Sequence, residues 1–322
     1  MKSRWPIALL VAVALAGVAC SQAPKVTTPA TVEVSQTTTE APIPLPNADG
    51  SLKFAVLGDF GTGAPEQYKL AEAMAKFRET FKYETVITVG DNLYGRQRAG
   101  DFKKKFEIPY QPLLDDGVKF YASLGNHDIR EQPSYKLFNM EGKLFYTFKP
   151  NNDVRFYMLD TNYLSPEQVE WIDKEMKGST DKWKIVAFHH PLYSSGGRHG
   201  SDVKLRQKIE PVFIESGISV VFQGHDHFYE RIKPQKGIVY FVCGSGGKLS
   251  PGDITRGSPL TAKGVDTVCV FLAVEIDGDH MYFNAVSSDG TIVDSGVIER
   301  RMPVGETPEP AAPAGAQGSA KK

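Results

Sequence analysis

Oxygen and nitrogen donors recur at one kind of position in this sequence. Asp59 follows the apolar run KFAVLG, Asp91 follows TVITVG, Asn126 follows VKFYASLG, His189 follows WKIVAF, and His225 and His227 follow ISVVFQG. Carboxylate, amide oxygen and imidazole are hard or borderline ligands that suit Zn, Mn or Fe, and the thiolates that mark a structural zinc knot are absent from these motifs. One Asp at a strand end would mean little, because aspartate is a common turn former and helix cap. His225 and His227 alternate onto one face of a strand, which by itself requires no metal. Taken together the motifs say more, for six of the seven histidines lie in them or just after one. The chemistry such a set could perform is metal-assisted hydrolysis.

Elements with a particular order are needed to bring these residues together. Short β-branched runs alternate with amphipathic helices, the first helix running from about Pro65 to Phe81 with Leu70, Met74, Phe77 and Phe81 on one face. A second helix is predicted to open at Asp101. LFYTFK and VRFYMLD flank the turn residues 150–153 and read as a hairpin. Ser165, Pro166 and Gln168 have the spacing of a capping box that starts another helix. Beyond GHDH, the segments IVYFVCG, TVCVFLAVEI, HMYFNAV and TIVDSGVIE read as consecutive strands. This pattern predicts an α/β fold of two mixed β-sheets packed face to face with helices outside. In open α/β sheets the carboxyl ends of strands gather at one edge, so five strands would deliver the motifs to one crevice.

GDFG, GDNLY, GNHD, the HxP of HHPLY and GHDH, in this order, resemble the calcineurin-like metallophosphoesterases, which share a two-metal core. Tyr94, three residues after Asp91, adds a further feature: GDNxY between GDFG and GHDHFYER is similar to the purple acid phosphatases, particularly the small tartrate-resistant type. The resemblance runs from about Leu52 to Val297 and implies a four-layer sandwich and an acid phosphatase that hydrolyses phosphate monoesters by attack of a metal-bound hydroxide. It implies Fe(III) held by Asp59, Asp91, Tyr94 and His227, with Asp91 bridging to a second ion, Fe, Zn or Mn, completed by Asn126, His189 and His225. It also implies that His127 and His199 are the outer histidines that contact substrate or protonate the leaving group. Their protonation near phosphate would depend on opposing charges, so activity in the acid range is expected. His199 departs from the family's short pattern by standing one residue further from His189, after the glycine-rich SSGG. His190 matches no ligand position and is read as a neighbour of the ligands, and His280 as an exposed turn residue. The same metals could serve a phosphodiesterase or nucleotide hydrolase. A surface binding protein without turnover would not need the complete ligand set. Gly244–Gly247 and Lys248 look like a phosphate loop, but the earlier glycine is missing and Leu249 follows the lysine, so that pattern fails.

Composition excludes several alternatives. Lys and Arg number 37 against 38 for Asp and Glu, so nothing argues for wrapping nucleic acid, while the resemblance implies small phosphorylated substrates as partners. Residues 1–19 read as an export signal, with basic Lys2 and Arg4 before the apolar stretch from Ile7 to Ala16. GVAC resembles a bacterial lipoprotein box in which Cys20 would be lipidated and tether the chain to a membrane, although Gly17 stands where Leu is usual. Ala14 and Ala16 offer an ordinary cleavage site instead, which would give a secreted protein. Residues 20–48 read as a Thr/Pro-rich linker, 49–300 as the catalytic domain and 301–322 as a disordered tail. Cys243 and Cys269 lie in predicted strands, and the sequence leaves open whether they are bridged or free. It also leaves open the natural substrate and the oligomeric state.

Overall fold

The computed structural model describes residues 41–302. The export signal, Cys20, most of the linker and the tail from 303 lie outside the described residues. Among those described, thirteen strands form two sheets. The strands are β1 (Leu52–Leu57), β2 (Thr85–Val89), β3 (Lys119–Ser123), β4 (Tyr146–Phe148), β5 (Val154–Met158), β6 (Trp183–Ala187), β7 (Val220–Gln223), β8 (Tyr229–Ile232), β9 (Val239–Cys243), β10 (Thr261–Val265), β11 (Val270–Asp277), β12 (His280–Ser287) and β13 (Ile292–Glu299). The first sheet has the order β13-β12-β11-β1-β2-β3, with β1, β2 and β3 parallel. The second has the order β10-β8-β9-β7-β6-β5-β4, with β5, β6, β7 and β9 parallel.

Face-to-face packing follows from strict alternation in the second sheet. Ile185, Phe222 and Phe241 turn toward the first sheet, where Phe54 meets Phe156 and Phe222 at ring distances of 5.2 and 6.2 Å and Phe241 meets Phe283 at 5.1 Å. Their neighbours Val186, Val221 and Tyr240 turn outward and are covered by helices α4 (Pro166–Lys177) and α5 (Val203–Glu215), through Ile172, Met176, Ile209 and Phe213. Helix α1 (Pro65–Phe81) packs with the first sheet, burying Leu70, Met74 and Phe81 and resting Phe77 on Phe271. Two mixed sheets with helices outside is the architecture expected from the alternation.

Several local expectations need adjustment. The second helix, α2 (Ala99–Phe102), begins at Ala99 rather than Asp101, because Asp101 acts from its third position, accepting from the Arg98 N–H at 3.1 Å. It continues as a π-helical stretch over Lys103–Glu107 and is followed by the short helix α3 (Gln111–Asp115). At α4, Ser165 Oγ accepts from the Gln168 N–H at 3.1 Å, but the reciprocal half of the box is not made. The Gln168 side chain turns inward instead, accepting from the Asp160 N–H and donating to the Asp160 carbonyl. Residues 41–48, assigned to the linker, are fastened to the domain: Ile43 exchanges hydrogen bonds with Ser295 Oγ and Asn284 Nδ2, and Glu275 accepts from the N–H groups of Asn47 and Ala48. Prolines prevent a strand there without preventing attachment to a neighbouring one. Strands β8 and β10 escaped the sequence reading, one being four residues long and the other a half-buried edge strand. Cys243 and Cys269 are both buried free thiols.

One ion pair crosses between the sheets. Arg231 of β8 donates through Nε and Nη2 to both oxygens of Asp294 in β13, at 2.8 and 3.0 Å, and Tyr229 Oη donates to the same carboxylate. Asp294→Ala leaves a largely buried guanidinium without its partner and is expected to cost about 3 kcal/mol, read as a lowered midpoint in urea. A cost under about 1 kcal/mol would mean that water solvates Arg231. A second ion pair supplies a pH test. Burial alone would raise the Asp181 carboxyl, but hydrogen bonds from Lys149, Arg155 and Ser179 outweigh it and bring the pKa down to about 2. Because the folded value is depressed, the stability it contributes is complete above the ordinary value of 3.8 and is lost as pH falls through about 2. Asp181→Asn is therefore expected to lower the urea midpoint at pH 6, with the gap from the parent protein closing between pH 4 and pH 2.

Candidate metal centre

Each motif residue stands just past the end of a parallel strand: Asp59 after β1, Asp91 after β2, Asn126 after β3, His189 after β6 and His225 after β7. The chain must turn sharply there to aim a side chain into the crevice between the sheet edges. Asp59, Asp91 and His225 do so with φ of +55°, +49° and +74°, a left-handed conformation that L-residues seldom hold and that concentrates at functional sites. The glycine before each of these three is dictated by crowding. A Cβ on Gly90 would come within 2.7 Å of His189 Nδ1, and one on Gly224 within 2.6 Å of Asp59 Oδ2.

Two groups of donors result. In the first, Tyr94 Oη donates to Asp59 Oδ1 at 3.1 Å and lies 3.2 Å from His227 Nε2, and His227 Nε2 lies 3.6 Å from Asp59 Oδ1. In the second, His189 Nε2 lies 3.0 Å from Asn126 Oδ1, 3.1 Å from His225 Nδ1 and 3.5 Å from Asp91 Oδ1. Ligand atoms of Asp59, Asp91 and His189 all fall within 4.8 Å of one another, so the groups adjoin through Asp91. Donors held about 2.1 Å from one ion at right or tetrahedral angles are themselves about 3.0 to 3.4 Å apart, close to the spacing found in each group.

Hydrogen bonding behind the donors fixes their state. Val89 O lies 3.0 Å from His189 Nδ1 and, being a carbonyl, can only accept. The ring proton therefore sits on Nδ1 and the Nε2 lone pair faces inward toward Asp91, the usual arrangement of a ligating histidine. Asp91 Oδ1 accepts from the His127 N–H at 2.9 Å, while Oδ2 is buried and has no hydrogen-bond partner. An orphaned carboxylate oxygen in a buried site is costly unless a cation meets it. Burial first, and then the charge of Asp91, raises the Asp59 carboxyl well above its usual range. Burial also depresses His189 strongly, His225 to about 2 and His227 to about 4, the last helped by the charge of Lys248. The Tyr94 phenol is raised by burial and then by Asp59 and Asp91. Neutral imidazoles, two crowded carboxylates and a lone phenol form a donor set lacking positive charge, which fits two metal ions.

All seven residues singled out as ligands are therefore brought together. Both outer histidines are exposed at the rim, His127 with its ring 4.9 Å from Tyr94 and His199 with its ring 4.2 Å from His225. His190 lies behind the donors, 3.0 Å from Thr161 Oγ1 and 4.6 Å ring to ring from His225, and His280 is exposed at the start of β12.

Asp128 and Asp226 were not singled out, although they stand inside GNHD and GHDH. Asp128 accepts from the N–H groups of Asn92, Leu93 and Gly125, clamping the Tyr94 loop to the Asn126 loop. Asp226 accepts from Ser194 Oγ and so holds the loop that carries His199. The available signal was the acid following or preceding histidine in both motifs. The loops each acid joins lie 35 and 32 residues apart in the chain, reached through backbone N–H groups by Asp128 and through the Ser194 hydroxyl by Asp226.

Comparison with known proteins agrees with this centre. The calcineurin-like phosphoesterase profile matches residues 52–229. Purple acid phosphatase 17 of Arabidopsis thaliana is 26% identical over 252 residues, covering 66% of this chain and 73% of that protein. Human tartrate-resistant acid phosphatase type 5 is 26% identical over 307 residues, covering 79% of this chain and 94% of that one. Among solved structures, purple acid phosphatase PPD1 from yellow lupin seeds superposes with a TM-score of 0.66 at 18% identity, covering 80% of this chain and 55% of that one. GAP50, described as the anchor in the inner membrane complex of Plasmodium, superposes equally well at 19% identity, covering 79% and 90%. The fold alone thus does not separate a phosphatase from an anchor, and the profile match over more than half the chain carries the assignment. With motifs, topology and donor geometry in agreement, the chain belongs to the calcineurin-like phosphoesterase family.

Proposed function

We propose that the protein is a phosphatase of the purple acid type that hydrolyses phosphate monoesters with a dinuclear centre. The observation that carries this reading is the position of Tyr94 Oη, between Asp59 Oδ1 and His227 Nε2, where a phenolate would complete a ferric site. Asp59, Tyr94, His227 and Asp91 would hold Fe(III). Asp91, Asn126, His189 and His225 would hold Fe, Zn or Mn. Two such ions, when bound, neutralise phosphate oxygens and lower the pKa of a water poised for in-line attack.

This chain's own residues supply the rest. Asp91 would be the carboxylate shared by both ions; the His127 N–H fixes its Oδ1, and its buried Oδ2 has no hydrogen-bond partner. Gln97 Nε2 donates to the His127 carbonyl at 2.6 Å and holds that residue's backbone at the rim. From opposite sides of the donors, His127 beside Tyr94 and His199 beside His225 flank the mouth where an ester would enter. Either would donate a proton to the departing oxygen, a role worth about 100-fold or more in rate when filled by a positioned acid. A complete donor set with two rim histidines supports turnover over an anchoring role.

Asp91→Ala is expected to lose both metals and all activity, whereas His199→Ala is expected to keep two metals per chain while kcat falls about 100-fold. Elemental analysis with steady-state kinetics on p-nitrophenyl phosphate checks both, and equal metal loss in the two variants would overturn this division of roles. The iron-loaded protein is further expected to show a broad visible absorption band that disappears in Tyr94→Phe. A band that persists in the variant would remove Tyr94 from the ferric site. Absence of both iron and band would leave a two-metal phosphoesterase that is not of the purple type.

A further inference from the structure

Beside the His227 end of the centre lies a cavity of about 400 Å³ whose lining includes Lys248 and Arg198. Neither cation is used by the chemistry above. Among the described residues, the two side chains make no ion pair and donate no hydrogen bond. Lys248 Nζ rests 4.3 Å over the Tyr94 ring.

The backbone holds both in place. Lys248 ends the Gly244–Gly247 segment, whose glycines are explained by contact rather than by a nucleotide. Gly246 N–H donates to Gly58 O at 2.9 Å, and a Cβ on Gly247 would come within 2.2 Å of Phe60 O. The loop is thereby pressed onto the turn that presents Asp59. Arg198 is fixed from the other side: its N–H donates to Asp253 Oδ1 at 2.9 Å, and the Gly197 N–H donates to Asp253 O at 2.8 Å. Asp253 is the one carboxylate lining the cavity, and this backbone bond already engages one of its oxygens. An ammonium and a guanidinium facing one space beside a phosphate site suit a second anionic group, the guanidinium binding phosphate as a planar fork and the ammonium as a point charge.

We propose that this cavity is a subsite for a second phosphate on the substrate, so that the enzyme selects phosphate esters bearing another phosphoryl group over simple monoesters. The inference rests on the phosphatase reading. The second phosphate is bound there and not cleaved.

The metal-loaded protein can be titrated calorimetrically with methylphosphonate and with propane-1,3-bisphosphonate, neither of which is hydrolysed. The parent protein is expected to bind the bisphosphonate about tenfold more tightly, the gain two solvent-accessible charge contacts can supply. Arg198→Gln combined with Lys248→Met is expected to erase that preference, and Arg198→Lys with Lys248→Arg to retain it. No preference in the parent protein, or a preference that survives neutralisation, would overturn the proposal. Turnover of p-nitrophenyl phosphate by the parent protein separates the two claims. Turnover without the preference sinks the subsite alone, and the preference without turnover sinks the phosphatase reading while the anion subsite stands.

Discussion

The structure depends on a buried carboxylate, Asp91, that its own protein leaves half satisfied. Oδ1 receives the His127 N–H, Oδ2 receives nothing, and Asp59 and His189 stand within ligand distance of the same region. Left alone, such an arrangement opposes folding, because like charges are crowded in a space with little water. With cations present the same crowding would become binding energy, and the domain's stability would be tied to metal. The surrounding frame must then be rigid enough to keep the donors from relaxing apart.

That rigidity comes from the two sheets. The aromatic contacts of Phe54 with Phe156 and Phe222 lock one sheet against the other, and the Arg231 to Asp294 pair ties them at a second place. Only then do the strand ends meet closely enough that Gly90 and Gly224 leave no room for a Cβ. Left-handed turns at Asp59, Asp91 and His225 cost conformational energy, and they persist because packing on both sides determines them. Sheet packing, turn strain and ligand geometry are thus one constraint expressed at three scales.

The sequence was informative where a property is local. Pro65 with a helical apolar period marks α1, and alternation marks the strands that face two layers. Donor types at strand ends revealed six of the ligand candidates because each motif has its own apolar lead, and Tyr94 was legible only through the resemblance carried by GDNxY. What stayed hidden depends on distant partners. Asp128 and Asp226 act on backbone or hydroxyl groups 35 and 32 residues away, and nothing beside them in the chain announces it. Gln168 abandons the helix end that its spacing suggests because the Asp160 backbone offers two buried partners. Short β8 and half-exposed β10 lack the period that would reveal a strand. Residues 41–48 are proline-interrupted, so their attachment to Glu275 and Asn284 has no periodic trace.

The clamps around the centre also separate what must be fixed from what can vary. His225 and His227 flank Asp226, and Asp226 holds the Ser194 loop from which Arg198 and His199 project. His227 O in turn accepts from the Ser250 N–H, joining the same histidine to the segment after Lys248. Both rim loops are therefore anchored on the strand turn that supplies two ligands, while their tips face solvent and the cavity. On the proposed reading, substitution at a tip would alter which ester is admitted without moving a donor atom. Substitution at an anchor shifts metal and rim together, since the backbone that positions one positions the other. On that reading, catalysis and selectivity would thus be mechanically joined at Asp226 and independent at Arg198.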